Sequence, residues 1–463
     1  MKSSFTFWGF GSPSAPCAPN PRFALTLVSA MSISSAVVPV WADAPANTEP
    51  PRPEDLLGNI VVVAGATRPL PRIAVLPSSS FDEEDVMMRN VARRDLELSG
   101  EFELLSDADV PETYGSADEL DVAAWARKKI EALVEVRAAP MDGQDKVALR
   151  GRVFLVHHGA ASVFDKRFVV PAATFREEAH RLSDLIIGAL TGKNGSFASR
   201  MTFISGVSSL RQVFTIDADG HDATPISPRD EIALSPAFGR NEELFYTTSR
   251  DKGEYKIRSA SGTVIDLPVK GSVYGLAFSK DRSRVAVSIG VGTTIKLFSG
   301  PDFANLAPVS DVGMALRPSF SPSGKIGFSG EGHWGQRIYV DGKPISPDGL
   351  FASSPTFCNH PDGTRVVYAV GVGKDTDLVS ADERGGGMIR LTQGQGRNGY
   401  PACSPDGRLV AFFSTRTSGE GPGLYVMRLD GGRAKRISTL LGDSLRWDPL
   451  PLRQPEQAVE VKN

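Results

Sequence analysis

The hydrophobic positions change period part-way along the chain. Ile60-Val61-Val62-Val63 is a short β-branched run, followed by Gly65 and by Pro69 and Pro71. Ile73-Ala74-Val75-Leu76 then reads as a buried strand, apolar at every position. Val86, Val91, Leu96 and Leu98 recur at helical spacing and stop at Gly100, a natural C-terminal cap. Trp125 and Ile130 mark a second helical stretch. Residues 133–136, 147–156 and 162–170 read as strands, and 175–190 as an amphipathic helix closed by Thr191-Gly192. Strands mixed with two or three helices predict a small mixed α/β domain over residues 72–195.

Beyond residue 196 the helical period disappears and an internal repeat replaces it. Ala237-Phe238, Ala277-Phe278, Ser319-Phe320, Thr356-Phe357, Ala402-Cys403 and Arg446-Trp447 align, with steps of 40, 42, 37, 46 and 44 residues between their second members. Polar turns follow most of them, as in Ser321-Pro-Ser-Gly324, His360-Pro-Asp-Gly363 and Ser404-Pro-Asp-Gly407, and each turn precedes an apolar strand. About 40 residues suit four antiparallel strands, one propeller blade. Six pairs predict six blades over residues 196–451. The strands at 201–205 and 212–217 have no pair before them, and Arg446-Trp447 has no strands after it. Their union in one blade would close the ring and hide both sheet edges. The fold class is therefore multidomain, α/β plus all-β: a small N-terminal domain followed by a six-bladed β-propeller.

Four segments carry a family resemblance. Asp95-Leu-Glu-Leu-Ser-Gly-Glu-Phe102 looks like a helix end and strand start, and Ala189-Leu-Thr-Gly-Lys-Asn-Gly-Ser-Phe-Ala-Ser-Arg200 like an interdomain junction. Tyr400-Pro-Ala-Cys-Ser-Pro-Asp-Gly407 and Leu424-Tyr-Val-Met-Arg-Leu-Asp-Gly431 look like repeat turns. Together they resemble the TolB family, the periplasmic propellers of the Tol-Pal envelope system, over nearly the whole chain. The sequence departs from the family in keeping a Ser-Pro-Asp-Gly turn after only one of its aligned pairs and in placing Cys403 where the repeat usually has tryptophan.

Composition adds the compartment. Lys2 and Arg22 precede an apolar run at 23–40, and Val40-Trp41-Ala42 offers a signal-peptidase site, so residues 1–42 read as a cleaved signal peptide. Residues 43–71, with their proline, alanine and acid, read as a flexible arm, and 452–463 as a polar tail. Cleavage removes two cations and no acid, moving the net charge from −3 to −5. A mildly acidic chain without a basic run has no footprint for nucleic acid or anionic lipid. The expected protein is periplasmic, not membrane-embedded and a monomer. Cys358 and Cys403 would remain. One follows its aligned pair's second member and the other is one, so they face opposite sides of their strands and read as buried free thiols.

Candidate chemistry is sparse. No Gly-x-Ser-x-Gly nucleophile elbow occurs. His157-His158 sits on an expected strand, with side chains on opposite faces that cannot share an ion. The Asp-Gly turns follow from turn conformation. No enzyme activity, cofactor or metal is expected; the alternatives are a hydrolase or lyase with a site in the central channel, and a glycan-binding propeller. Two surfaces read as partner sites. Asn59, Ile60, Val61, Val62 and Val63 could add to another protein's sheet or form an edge strand of their own domain; the resemblance implies binding of a TolA-like protein. Loops leading into the inner strands gather with the middle-strand turns at one end of the propeller and carry Arg250, Tyr274, Arg317, His333, Trp334, Tyr400 and Arg416. Arginine and aromatic residues dominate binding hot spots, and the resemblance implies a peptidoglycan-associated (Pal-like) lipoprotein there. The implied role is a scaffold supporting outer-membrane integrity and constriction at division.

Overall fold

The structure is a computed structural model that describes residues 61–62, 69–78, 80–111, 120–207, 210–249 and 253–448. The expected signal peptide, most of the arm and the tail lie outside the described residues.

The N-terminal domain is a five-stranded mixed sheet in the order Glu103–Leu104, Arg72–Val75, Ala132–Pro140, Lys146–Leu155, Ser162–Pro171. The first two pairings are parallel and the last two antiparallel. Helices α1 (Glu83–Leu98) and α3 (Phe175–Thr191) cover one face, and the short α2 (Val122–Arg127) lies against the other. The unbroken apolar run 73–76 follows from this sandwich. Ile73 and Val75 join the core under α1 and α3, whereas Ala74 and Leu76 pack with the fully buried Trp125 of α2. Val86, expected on the buried stripe of α1, instead faces outward.

The propeller has six four-stranded blades. Blade 1 joins Asp443–Trp447 from the end of the chain to Arg200–Val207, Leu210–Asp217 and Thr224–Pro225 from its beginning. Trp447 pairs with Met201 and Arg446 with Thr202, so the ring closes as the strand inventory predicts. The inner strands of blades 2 to 6 are Ile232–Phe238, Val273–Phe278, Leu316–Phe320, Ala352–His360 and Asn398–Cys403. All six inner strands are bulged. In five of them the residue two before the aligned pair's first-to-second step, namely Ser235, Arg317, Ser354, Tyr400 and Ser444, takes a left-handed φ of 43° to 57°. Proline follows four of these, at 236, 318, 355 and 401. Proline cannot donate to a ladder, and a bulge is where an inner strand tolerates it.

Blades 3 and 4, whose turns look irregular in sequence, close like blade 6. Ser279 N–H donates to Arg284 O at 2.9 Å, Ser321 N–H to Lys325 O at 2.8 Å and Ser404 N–H to Leu409 O at 2.9 Å. Arg282 holds φ 59° where blade 6 has Gly407 at 77°. Its side chain offsets that strain by donating to Phe238 O and pairing with Asp448.

Two expectations about particular residues are corrected. Cys358 and Cys403 are joined by a disulfide, with Cα atoms 5.3 Å apart. They do face opposite sides of their strands, but neighbouring blades stack with opposite faces together, so this is the arrangement that brings the sulphurs into contact. His157 and His158 lie not on a strand but in a 3₁₀ turn, Val156–His158, with ring centroids 4.4 Å apart. The expected strand ends at Leu155.

Candidate functional site

Strand direction separates the two ends of the propeller. Each inner strand runs from a loop at one end to its aligned pair at the other. The turns after the first and third strands of a blade lie at the far end, and the middle-strand turns lie with the incoming loops. The α/β domain contacts turns of the first kind, at 217–222, 404–408 and 428–436, leaving the other end free of it.

Many of the contacts at the domain end involve two of the four segments that carry the family resemblance, 95–102 and 189–200. In the first, Asp95 meets His180 of α3, Glu97 meets Lys435 at 3.2 Å, and Glu101 meets both Arg408 and Arg428 at 3.3 and 2.6 Å. Gly100 has φ 66°, a left-handed conformation that favours glycine, and packs against the Arg428 side chain. In the second, the Asp184 carboxylate accepts the N–H groups of Phe197 and Ala198 at 2.8 and 2.9 Å. Trp447 Nε1 donates to Ser199 Oγ at 2.7 Å, tying the junction to the ring-closing strand. One apolar core runs from α1 and α3 through Phe197 into blades 1 and 6.

At the centre of this contact lies a network that sequence reading missed. His180 Nδ1 is 2.8 Å from Asp95 Oδ2, and its Nε2 is 3.9 Å from Asp219 Oδ2 of blade 1. Burial opposes the charged imidazole, but the carboxylates of Asp95 and Asp219 outweigh it and push His180 up to about 9. Burial pushes Asp95 up to about 6 against the pull of His180, and Asp184 up to about 7 against its two N–H donors. The carboxylate and imidazole atoms of Asp95, His180 and Asp219 lie within 4.8 Å of one another, close enough to hold a cation. His180 Nδ1 is already engaged by Asp95, however, and Arg176 bonds Asp219, so the cluster is an ion-pair network. Its members are far apart in sequence, and only the unexplained polar residues on two amphipathic helices hint at it.

The opposite end is exposed and aromatic. Trp334 is 45 % exposed at a middle-strand turn of blade 4, with His333 stacked edge-on at 4.6 Å. Tyr274 is exposed in the bulge of blade 3, with its ring 6.0 Å from Tyr255. Arg317 of blade 4 lies over the ring of Tyr400 of blade 6, 4.5 Å from its centroid, so these two meet between non-adjacent blades. Arg416 does not belong to the exposed set. It is buried, stacks 4.0 Å from the Tyr425 centroid and donates from Nε to Ser414 Oγ at 2.9 Å. A guanidinium beside an aromatic wall is drawn in by its own stacking. Arg250 lies outside the described residues. Val207, Leu210, Met314 and Phe351 are exposed at this same end and were not singled out from sequence. Their position in the incoming loops or a middle-strand turn was the available signal. Of the eleven large apolar side chains exposed among the described residues, six are here: Val207, Leu210, Tyr274, Met314, Trp334 and Phe351.

Val61–Val62 pairs in parallel with Ile389–Arg390, the outer strand of blade 5. The edge it occupies therefore belongs to the propeller and not to the α/β sheet. Asn59, Ile60 and Val63 lie outside the described residues.

The TolB amino-terminal domain matches residues 58–160 as a family model. The Tol-Pal system protein TolB of Anaeromyxobacter dehalogenans is 29 % identical over 271 residues, 56 % of this chain and 59 % of that protein. That of Coxiella burnetii is 26 % identical over 189 residues, 39 % of this chain and 43 % of that protein. The chain is thus similar to TolB proteins in its amino-terminal domain and over part of their length. Its matches span roughly two fifths to three fifths of the length of these relatives. The crystal structure of TolB from Acinetobacter baumannii has the same fold, with a TM-score of 0.67 at 18 % identity, covering 83 % of this chain and 98 % of that one. The α/β domain, the six blades and their order are thus TolB architecture.

Proposed function

We propose that this TolB-like chain is a periplasmic protein-binding scaffold of a Tol-Pal-like system, without enzymatic activity. In this reading it is exported by cleavage of residues 1–42 and acts as a monomer. It joins a Pal-like lipoprotein, docked on the open end of the propeller, to a TolA-like protein engaged through Asn59–Val63. Its work is reversible binding that supports outer-membrane integrity and constriction at division. The observation that carries the reading is the gathering of six exposed large apolar side chains at one end of the molecule, while the other end is occupied by the chain's own domain. The names of the relatives supply the system. A Cys358–Cys403 disulfide suits an oxidising compartment. Strand addition through Asn59–Val63 requires Val61–Val62 to leave the edge of blade 5, or the partner to extend that edge further.

Affinity for the purified Pal-like lipoprotein tests the open end. Trp334→Ala should weaken binding at least about thirtyfold, the usual consequence of removing a tryptophan anchor. Deleting residues 59–65 should abolish binding of the TolA-like protein and spare the lipoprotein. Unchanged affinity of both variants for both partners would overturn the scaffold reading.

A further inference from the structure

The domain end of the central channel holds a feature that the docking reading does not use. Both members of all six aligned pairs, from Ala237-Phe238 to Arg446-Trp447, line one cavity of 120 Å³. Against roughly 30 Å³ for a molecule of liquid water, that is room for a group of several heavy atoms. No aspartate or glutamate lines it, whereas Lys280, Arg282 and Arg446 do. Arg282 is answered by Asp448. Arg446 makes no ion pair among the described residues. Its Nη2 donates across the channel to Pro318 O at 2.9 Å; the residue as a whole is partly buried, and its Nε is buried with no partner among the described residues. Burial, and then repulsion from Arg317, hold its pKa down to about 10. Ser319 adjoins Pro318, is 7 % exposed and lines the same cavity, and its Oγ is likewise buried without a partner.

A charge drawn largely out of water is normally paired, and a buried hydroxyl is normally hydrogen-bonded. Water in the cavity would satisfy Ser319 but would leave the guanidinium uncompensated. A small oxyanion answers both, because it brings negative charge to Arg446 and acceptor oxygens to both donors. We propose that this cavity is a binding site for a small oxyanion, a carboxylate or a phosphate, with Arg446 and Ser319 as its principal donors. The two sources share the chemistry that the site reads: a compact anion with at least two acceptor oxygens. The site lies at the end of the propeller away from the exposed rings, so it stands whether or not those rings dock a lipoprotein.

Trp447 lines the cavity and supplies a reporter. The full chain is titrated with sodium phosphate and, separately, with sodium acetate, at an ionic strength held constant with sodium chloride, while tryptophan emission and the thermal midpoint are followed. A saturable change with one or both anions is expected, and the arm that gives it names the source. Ser319→Ala should weaken that response about threefold or more without disturbing the Pro318 carbonyl. Arg446→Leu should weaken it at least about tenfold, and Arg446→Lys should retain part of it. Should Arg446→Leu fail to fold, Ser319→Ala decides. The proposal is overturned if neither anion gives a saturable response beyond that of chloride, or if the folded variants respond like the parent.

Discussion

The two ends of the propeller are made of different turns of the same repeated blade, and they differ in what covers them. At the domain end, charged side chains are buried and most are answered: His180 by Asp95 and Asp219, Glu101 by Arg408 and Arg428, Asp184 by two backbone N–H groups. At the open end, rings and aliphatic groups stand exposed and the notable cation, Arg317, rests on a tyrosine face. The difference teaches how one fold divides its work. Polar groups that are desolvated and satisfied hold two domains in one arrangement, whereas exposed apolar groups are the ones that a docking partner would cover.

The comparison can be broken most severely at the seam between the ends. Removing the closing strand of blade 1 bares the edge of Arg200–Val207 and takes away Leu445 and Trp447, both buried. Burial of two such side chains alone is worth roughly 4–5 kcal/mol. A chain ending at residue 440 should therefore unfold far below the full-length midpoint in calorimetry, and an unchanged midpoint would contradict the closure.

Asp184→Ala comes next. It strips the acceptor from two buried N–H groups at the junction, at about 2–4 kcal/mol. Denaturant titration should show this loss, whereas Asp184→Asn, which keeps one acceptor oxygen, should lose less.

The His180 network gives the domain end a dependence on pH. His180 faces Asp95 and Asp219, with Arg176 nearby, and its pKa rises from 6.5 unfolded to about 9 folded. Its contribution is full below pH 6.5 and is lost as pH rises through about 9, on the order of 3 kcal/mol in all. Asp95 and Asp184, also raised on folding, act with the same sign at lower pH. Stability measured between pH 6 and 9.5 should therefore fall more steeply in the parent than in His180→Gln; equal slopes would remove His180 from the account.

The smallest effect belongs to the open end. Trp334→Ala should change unfolding free energy by no more than about 0.5 kcal/mol, because the ring is already half in water. A loss above 2 kcal/mol would mean that Trp334 is part of the core, and the contrast between the ends would collapse.

Much of the fold was legible in the chain because its signals are local and periodic. The continuous apolar run at 73–76, the helical spacing of Val91 and Leu96, and the stop at Gly100 each report burial or backbone conformation within a few residues. The 40-residue spacing of the aligned pairs survived irregular turns, since every blade must bring the same inner-strand position to the channel. The unmatched strands at either end even predicted where the ring closes. Tertiary structure alone decided which polar groups meet. His180 finds Asp95 and Asp219, 85 residues behind and 39 ahead, only because two helices dock on blade 1. Cys358 and Cys403 meet because blades stack with opposite faces together, a relation between elements that no single strand's alternation contains. Arg416, which reads as an exposed arginine, is buried because Tyr425 on the neighbouring strand offers it a face. Periodicity records how each residue stands to its own element; charge pairing, disulfide formation and exposure at loop ends depend on how elements stand to one another, and that is settled only when the ring has closed.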